Sequence, residues 1–187
     1  MITHFFSDPH FGHRNIVGFC ERPFSSVGAM NAQILQNYHN MVISGDTVCW
    51  TGDAFFARGR GDRALWRAEL RALPGRKILV RGNHDGTVAR CLDYGFDLVV
   101  DVLYLQILGQ KVTVCHYPPA NDASGDDRYL DRRPPKPKAG EVLIHGHSHS
   151  PKRVNGRSIH VGVDAWDYRP VPLSCIQDLV TQMKGDV

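Results

Sequence analysis

Short apolar runs alternate along the chain with stretches whose apolar residues return every three or four positions. Residues 2–7 form a brief apolar run that ends in polar residues, and residues 47–51 read as a buried strand. Between them Val27, Met30, Ile34, Tyr38 and Met41 keep helical spacing, so they share one face of an amphipathic helix with Ser25 or Ser26 as its cap. Leu65, Trp66, Leu70 and Leu73 predict a second helix, which Pro74-Gly75 stops. Residues 77–80 form a further strand, and residues 97–114 read as two strands joined at Gly109-Gln110. Residues 142–144 and 159–163 add two more strands, and a last helix covers residues 173–183. This order predicts an α/β domain. A chain of 187 residues suffices for one domain, spanning 1–187, to bury a core without staples.

One stretch breaks the alternation. Residues 117–140 hold five of the eleven prolines and the charged run 126–133, which is too polar to bury and too rich in proline to be regular. A loop of this length in a compact domain is either functional or a disordered surface excursion.

Composition narrows the class. No apolar run reaches the roughly 20 residues that span a bilayer, and the opening MITHFFSDPH has no basic segment or cleavage pattern of a secretory signal. The expectation is a cytoplasmic protein without membrane partners. Five cysteines, none in a C-x-x-C pair, read as reduced thiols, with Cys49 and Cys115 as small core residues. A net charge of +3 with acids and bases intermixed gives no support for a nucleic-acid surface.

Five polar motifs each follow an apolar run: Asp8 and His10; Gly52-Asp53; Gly82-Asn83-His84-Asp85; His116; and Gly146-His147-Ser148-His149. In α/β folds ligand groups emerge at the carboxyl ends of strands, so all five are expected on one rim. Histidine, aspartate and asparagine suit divalent ions such as Mn²⁺, Fe²⁺ or Zn²⁺. Read as extended segments, D-x-H and H-x-H present both side chains on one face. The glycines before Asp53, Asn83 and His147 are expected to permit tight turns close to a metal. A carboxylate bridging two ions would hold them about 3.5–4 Å apart.

The ordered set D-x-H, G-D, G-N-H-D, H, G-H-x-H resembles the calcineurin-like metallophosphoesterase superfamily, from Asp8 to His149. The segments SDPHFGH, RPF and VGVDAWDYRPV also resemble a small single-domain bacterial and phage branch of it. The resemblance implies a four-layer α-β-β-α sandwich and two divalent ions, most plausibly Mn²⁺, with Fe²⁺, Zn²⁺, Ni²⁺ or Mg²⁺ as alternatives. It implies that Asp8, His10 and His149 bind one ion, that Asn83, His116 and His147 bind the other, and that Asp53 bridges them. His84 would protonate the leaving oxygen or offset phosphoryl charge, and Asp85 would either orient His84 or cap a helix. The implied reaction is hydrolysis of a phosphomonoester or phosphodiester by a hydroxide generated between the ions.

Other polar residues have two readings each. His13 would meet substrate phosphate or stand as a surface histidine. Arg81 would meet phosphate or form a structural ion pair. His145 lies on the same side as His147 if strand alternation continues, which suits a supporting role. His160, Asp164 and Trp166 line the pocket or simply pack. The absence of an evident capping domain favours a small or nucleotide-like phosphoester. A nuclease would want a basic groove with aromatic platforms, for which the PPKPK run at 134–138 is the sole local hint. A protein-binding scaffold that had lost catalysis would be expected to have lost ligands, yet all seven proposed positions hold ligating residue types. Oligomeric state leaves no trace in the sequence.

Overall fold

The computed structural model describes residues 1–57, 59–120 and 128–184. Two five-stranded sheets form the frame. In the first, β1 (His4–Phe6), β2 (Thr47–Trp50), β3 (Arg76–Val80) and β4 (Leu98–Val100) run parallel, and β10 (Val171–Pro172) pairs antiparallel with β1. The second sheet contains β5 (Val102–Ile107), β6 (Gln110–Cys115), β7 (Glu141–His145), β8 (Val154–Asn155) and β9 (Ser158–His160). Its order is β5-β6-β7-β9-β8, with β6, β7 and β9 parallel.

Alternation along the first sheet separates two cores. Phe6, Val48, Trp50 and Leu79 face the helices α2 (Val27–Met41), α3 (Arg60–Ala72) and α4 (Val88–Tyr94), which contribute Met30, Ile34, Tyr38, Trp66, Leu70 and Cys91. Phe5, Cys49 and Val80 point the other way, into a core shared with Val112, Val114, Val142, Ile144 and Ile159 of the second sheet. Helix α5 (Leu173–Lys184) adds Ile176, Val180 and Met183 to that second core. Its end is tied down by Arg157 Nη1, which donates to the Met183 carbonyl at 2.9 Å. This is the two-sheet α/β sandwich of the expected class. Over the outer face of the second sheet, the described covering is the 3-10 turn Leu130–Arg132 and the proline-rich coil after it.

The long helix follows its pattern: Ser26 is the N-cap, and its Oγ accepts from Ala29 N at 3.1 Å. Elsewhere the pattern misled. Residues 97–114 form three strands, because the chain leaves the first sheet after Val100 and enters the second at Val102. The single residue between them, Asp101, is held by Arg81, whose Nε lies 2.8 Å from Asp101 Oδ1. Apolar periodicity cannot mark this switch, since both strands bury apolar residues. The hairpin turns on Leu108-Gly109, with φ of 50° and 77°, and Gln110 already belongs to β6. The strand expected at 159–163 ends at His160, and Val163–Ala165 is a 3-10 turn. Leu65 is 51% exposed despite its helical spacing with Trp66 and Leu70. The short elements α1 (Ile16–Phe19), α4, β8 and β10 carry too few residues to show a period.

Candidate metal centre

The carboxyl ends of β1, β2, β3, β6 and β7 supply the five motifs. Hydrogen bonds between the turns draw them together: Asp8 N donates to Gly52 O, His10 N to Asp53 O and Gly146 N to His116 O. The two sheets are joined at the rim by His147 N, which donates to Asp8 Oδ2 at 2.9 Å.

The ligating pairs do not converge by strand alternation. Asp8, His10, His147 and His149 have φ of 57°, 49°, 68° and 49°, and Asp53 has 53°, all in the left-handed region. Each such residue costs about 1–2 kcal/mol relative to ordinary backbone. Among the described residues, five of the ten non-glycine residues with positive φ are proposed ligands, so strain concentrates at this rim. The extended reading of D-x-H and H-x-H is therefore corrected: the chain coils tightly past each strand end. The glycine reading holds at Gly52, whose φ of 93° makes the tight turn before Asp53, and changes at the other two. Gly82 and Gly146 keep ordinary φ, and what they supply is space. A Cβ at Gly82 would strike the Asp53 carboxylate, and one at Gly146 would strike Ser7 Oγ and Asp8 Oδ2.

Two clusters of donor atoms are linked through Asp53, which forms a third group with His10 and His84. Asp8, His10 and His149 form one, and Asp53, His116 and His147 form the other, each with donor atoms within 4.8 Å of one another. Asp53 Oδ2 lies 3.5 Å from His10 Nε2 and 3.4 Å from His116 Nε2. Its Oδ1 accepts from His84 N at 2.9 Å. Asn83 Oδ1 and His147 Nδ1 lie 3.3 and 3.2 Å from His116 Nε2, completing the second cluster. In the first, Asp8 Oδ1 and His10 Nε2 are 3.9 Å apart, and both are buried without a hydrogen-bond partner. Buried polar atoms of that kind are rare unless something else satisfies them. Two divalent cations fit this donor set: the ligand types suit them, and the orphaned atoms point where they would sit.

Supporting contacts orient the imidazoles. His116 Nδ1 donates to the Thr51 carbonyl at 2.8 Å, which leaves Nε2 free to ligate. His149 Nδ1 donates to Asp164 Oδ2 at 2.8 Å, with the same effect. Asp164 is clasped by the buried Arg22, with Nε to Oδ1 at 2.7 Å and Nη2 to Oδ2 at 2.9 Å. Arg22 also donates to the carbonyls of Asp8 and Pro9, at 2.8 and 3.1 Å. One guanidinium thus braces the turn that carries Asp8 and the carboxylate that aims His149. The sequence alone leaves Asp164 between lining the pocket and packing and gives Arg22 no role; the RPF and VGVDAWDYRPV segments contain them.

Asp85 fits neither of its two expected roles. Its Oδ2 accepts from Gly82 N and Asp53 N at 2.6 and 3.0 Å, and its Oδ1 from Ala54 N at 2.9 Å. It ties the Asp53 turn to the Asn83 turn, while the cap of α4 is Thr87. Burial and the Asp53 charge push its carboxyl up, against the pull of the backbone donors.

Without an ion, protons balance the carboxylates. Burial opposes charge on His116 and His149, yet Asp53 lifts His116 to about 9, and the Asp164 hydrogen bond lifts His149 to about 10. Burial raises Asp8 and lowers His10. Asp53 is held below the usual carboxylate range: burial works against it, but His116 and His10 prevail.

The remaining residues divide. His84 is exposed at the cleft, with Nε2 3.9 Å from Asp53 Oδ2. His13 faces the cleft too, its ring centroid 5.5 Å from that of His10. Arg81 is engaged by Asp101 and by the Gly86 carbonyl, 2.8 Å from Nη1. His145 ends β7 and packs on His160 with ring centroids 5.4 Å apart; strand alternation does not extend from it to His147. Trp166 Nε1 donates to the His160 carbonyl at 2.8 Å.

Known proteins share this arrangement of chain. An uncharacterized protein of Methanocaldococcus jannaschii is 31% identical over 190 residues, covering 95% of this chain and 90% of its own. The Gene 66 protein of Mycobacterium phage L5 is 32% identical over 203 residues, covering 97% and 95%. A crystal structure of an Aquifex aeolicus protein of unknown function superposes with a TM-score of 0.72 at 29% identity, covering 94% of this chain and 97% of that one. The family model for calcineurin-like phosphoesterases matches residues 1–168, the span that holds the five motif-bearing strand ends and all seven proposed ligands, and the chain belongs to that family.

Proposed function

We propose that this protein is a dimetal hydrolase of phosphoric esters, acting on small phosphomonoesters or phosphodiesters. The observation that carries the reading is Asp53 Oδ2, which stands 3.5 Å from a nitrogen of one cluster and 3.4 Å from a nitrogen of the other. A single oxygen so placed could serve two ions. Asp8, His10 and His149 would hold the first, and Asn83, His116 and His147 the second, with Mn²⁺ the first ion to try. Bound there, the ions would supply Lewis acidity and a hydroxide at neutral pH.

The chain's own residues do the rest. His84 stands beside Asp53 at the open side of the cleft, within reach of a leaving oxygen, where a proton donor typically contributes about 10²–10⁴ in rate. Its backbone N–H is fixed on Asp53 Oδ1, so the bridging carboxylate and the proton donor are positioned together. His13 lines the same cleft and can hydrogen-bond a phosphoryl oxygen. The basic run that hinted at a nuclease stands away from the cleft: its Pro134, Pro135 and Pro137 lie over the second sheet's outer face. Five unpaired cysteines support a reducing, cytoplasmic setting. No described helix is long and apolar enough to cross a membrane.

The test is a substrate panel with added Mn²⁺: an aryl phosphate, an aryl phosphodiester, cyclic nucleotides and single-stranded DNA. Metal-dependent turnover of a small ester is expected, and its disappearance in Asp53→Asn. Turnover of none of them, or full activity in Asp53→Asn, would overturn the reading.

A further inference from the structure

A cleft of about 640 Å³ opens over the two clusters, and one of its walls has no part in metal binding. That wall is made by Ile16 and Phe19 of α1, by His13 before it, and by Phe56 after the Asp53 turn. Phe19 is 75% exposed. Phe56 and His13 are half-buried, so with Phe19 they give the cleft a continuous aromatic wall open to solvent at its edge. The rings form a series: the His13 centroid lies 4.2 Å from that of Phe56 and 6.3 Å from that of Phe19. Arg128 and Ser148 also line the cleft.

The position of the wall relates it to one end of the substrate. Phe56 and His13 lie 5.8 and 6.3 Å from the His84 ring, centroid to centroid. His84 is the group proposed to protonate the leaving oxygen, so whatever that oxygen carries emerges along these rings. Resting on the phosphoesterase reading above, we infer that Phe19, Phe56 and His13 form a subsite for a flat aromatic leaving group, and that this enzyme's substrates are phosphoesters of that class. An aliphatic leaving group of equal size would bury similar area but lose the ring-on-ring contact. Stacking of a flat ring on an aromatic side chain, read by alanine substitution, is typically about tenfold or more in affinity.

Phosphonates separate binding from turnover. Calorimetric titration of the Mn²⁺-loaded protein would compare phenylphosphonate, cyclohexylphosphonate and methylphosphonate. Phenylphosphonate should bind about tenfold more tightly than cyclohexylphosphonate. Phe19→Ala and Phe56→Ala should each reduce that advantage while leaving methylphosphonate affinity unchanged. Phe19 is exposed, so its replacement leaves the core intact, and Phe19→Tyr should restore the preference. Equal binding of phenyl and cyclohexyl compounds, or a preference that survives both alanine variants, overturns the subsite while metal-dependent turnover still stands. If no phosphonate binds and no ester turns over, the phosphoesterase reading fails and the subsite with it.

Discussion

The two clusters that meet at Asp53 each hold two histidines, with Asp8 in one and Asn83 in the other, and are supported differently. His116 is aimed by the Thr51 carbonyl at the end of β2, so backbone already committed to the sheet does the work. His149 is aimed by Asp164, itself held by Arg22, and those two residues are 142 positions apart in sequence. The first support cannot be removed by a side-chain change. The second is a buried ion pair that exists only when remote segments pack. The difference also shows in the free donors. His116 Nε2 lies within hydrogen-bonding distance of both Asn83 and His147, whereas Asp8 Oδ1 and His10 Nε2 are buried without partners. The Asp8 cluster is thus the one whose polar atoms lack protein partners, and the one a single substitution can loosen.

The bluntest way to break the comparison is Asp53→Asn, which strikes both clusters. Activity should fall by about 10³ or more, and metal analysis should show loss at both sites. Retention of two ions per chain would mean that Asp53 is not the bridge. Next in size is His84→Ala, for which a drop in turnover of about 10²–10⁴ is expected with metal content unchanged. If metal is lost instead, His84 belongs to the ligand set, as its place in a donor group with His10 and Asp53 allows.

Asp164→Asn tests the supporting pair. It should weaken one of the two metal-binding events by about 10–100-fold and leave the other unchanged, as seen in sequential calorimetric titration. Equal weakening of both would show that the two clusters are not independently supported. The smallest effect concerns protons. With His116 at about 9 and His149 at about 10 in the ion-free chain, both carry protons at pH 7 that a cation must displace. Uptake should therefore release about two protons per chain near neutrality, and fewer as pH rises through those values. Affinity should increase over the same range, because protons compete with metal. Titration in buffers of different ionisation enthalpy would measure this, and release that does not change with pH would remove both imidazoles from the sites.

How much was legible depends on how local the signal was. Helix α2 could be read from Val27 to Met41 because its apolar face repeats for four turns and Ser26 caps it. The ligand motifs could be read because each combined rare residue types with a preceding apolar run. The step from β4 to β5 could not, since Asp101 is a single polar residue between two apolar strands that belong to different sheets. Asp85 was assigned to the wrong partners because its neighbours in sequence, His84 and the start of α4, are not what its carboxylate reaches.

The longer helices and the main strands, the five polar motifs and their place at strand ends were determined by the sequence alone, through patterns a few residues long. Only the tertiary structure decided that Asp53 Oδ2 stands between two clusters, that Arg22 and Asp164 brace one of them, and that the ligating residues take left-handed backbone. Each of these requires segments tens of residues apart to be packed within about 3 Å, the range over which hydrogen bonds form. Distances of that kind are set by the sum of all the packing in both cores, and no local pattern contains them.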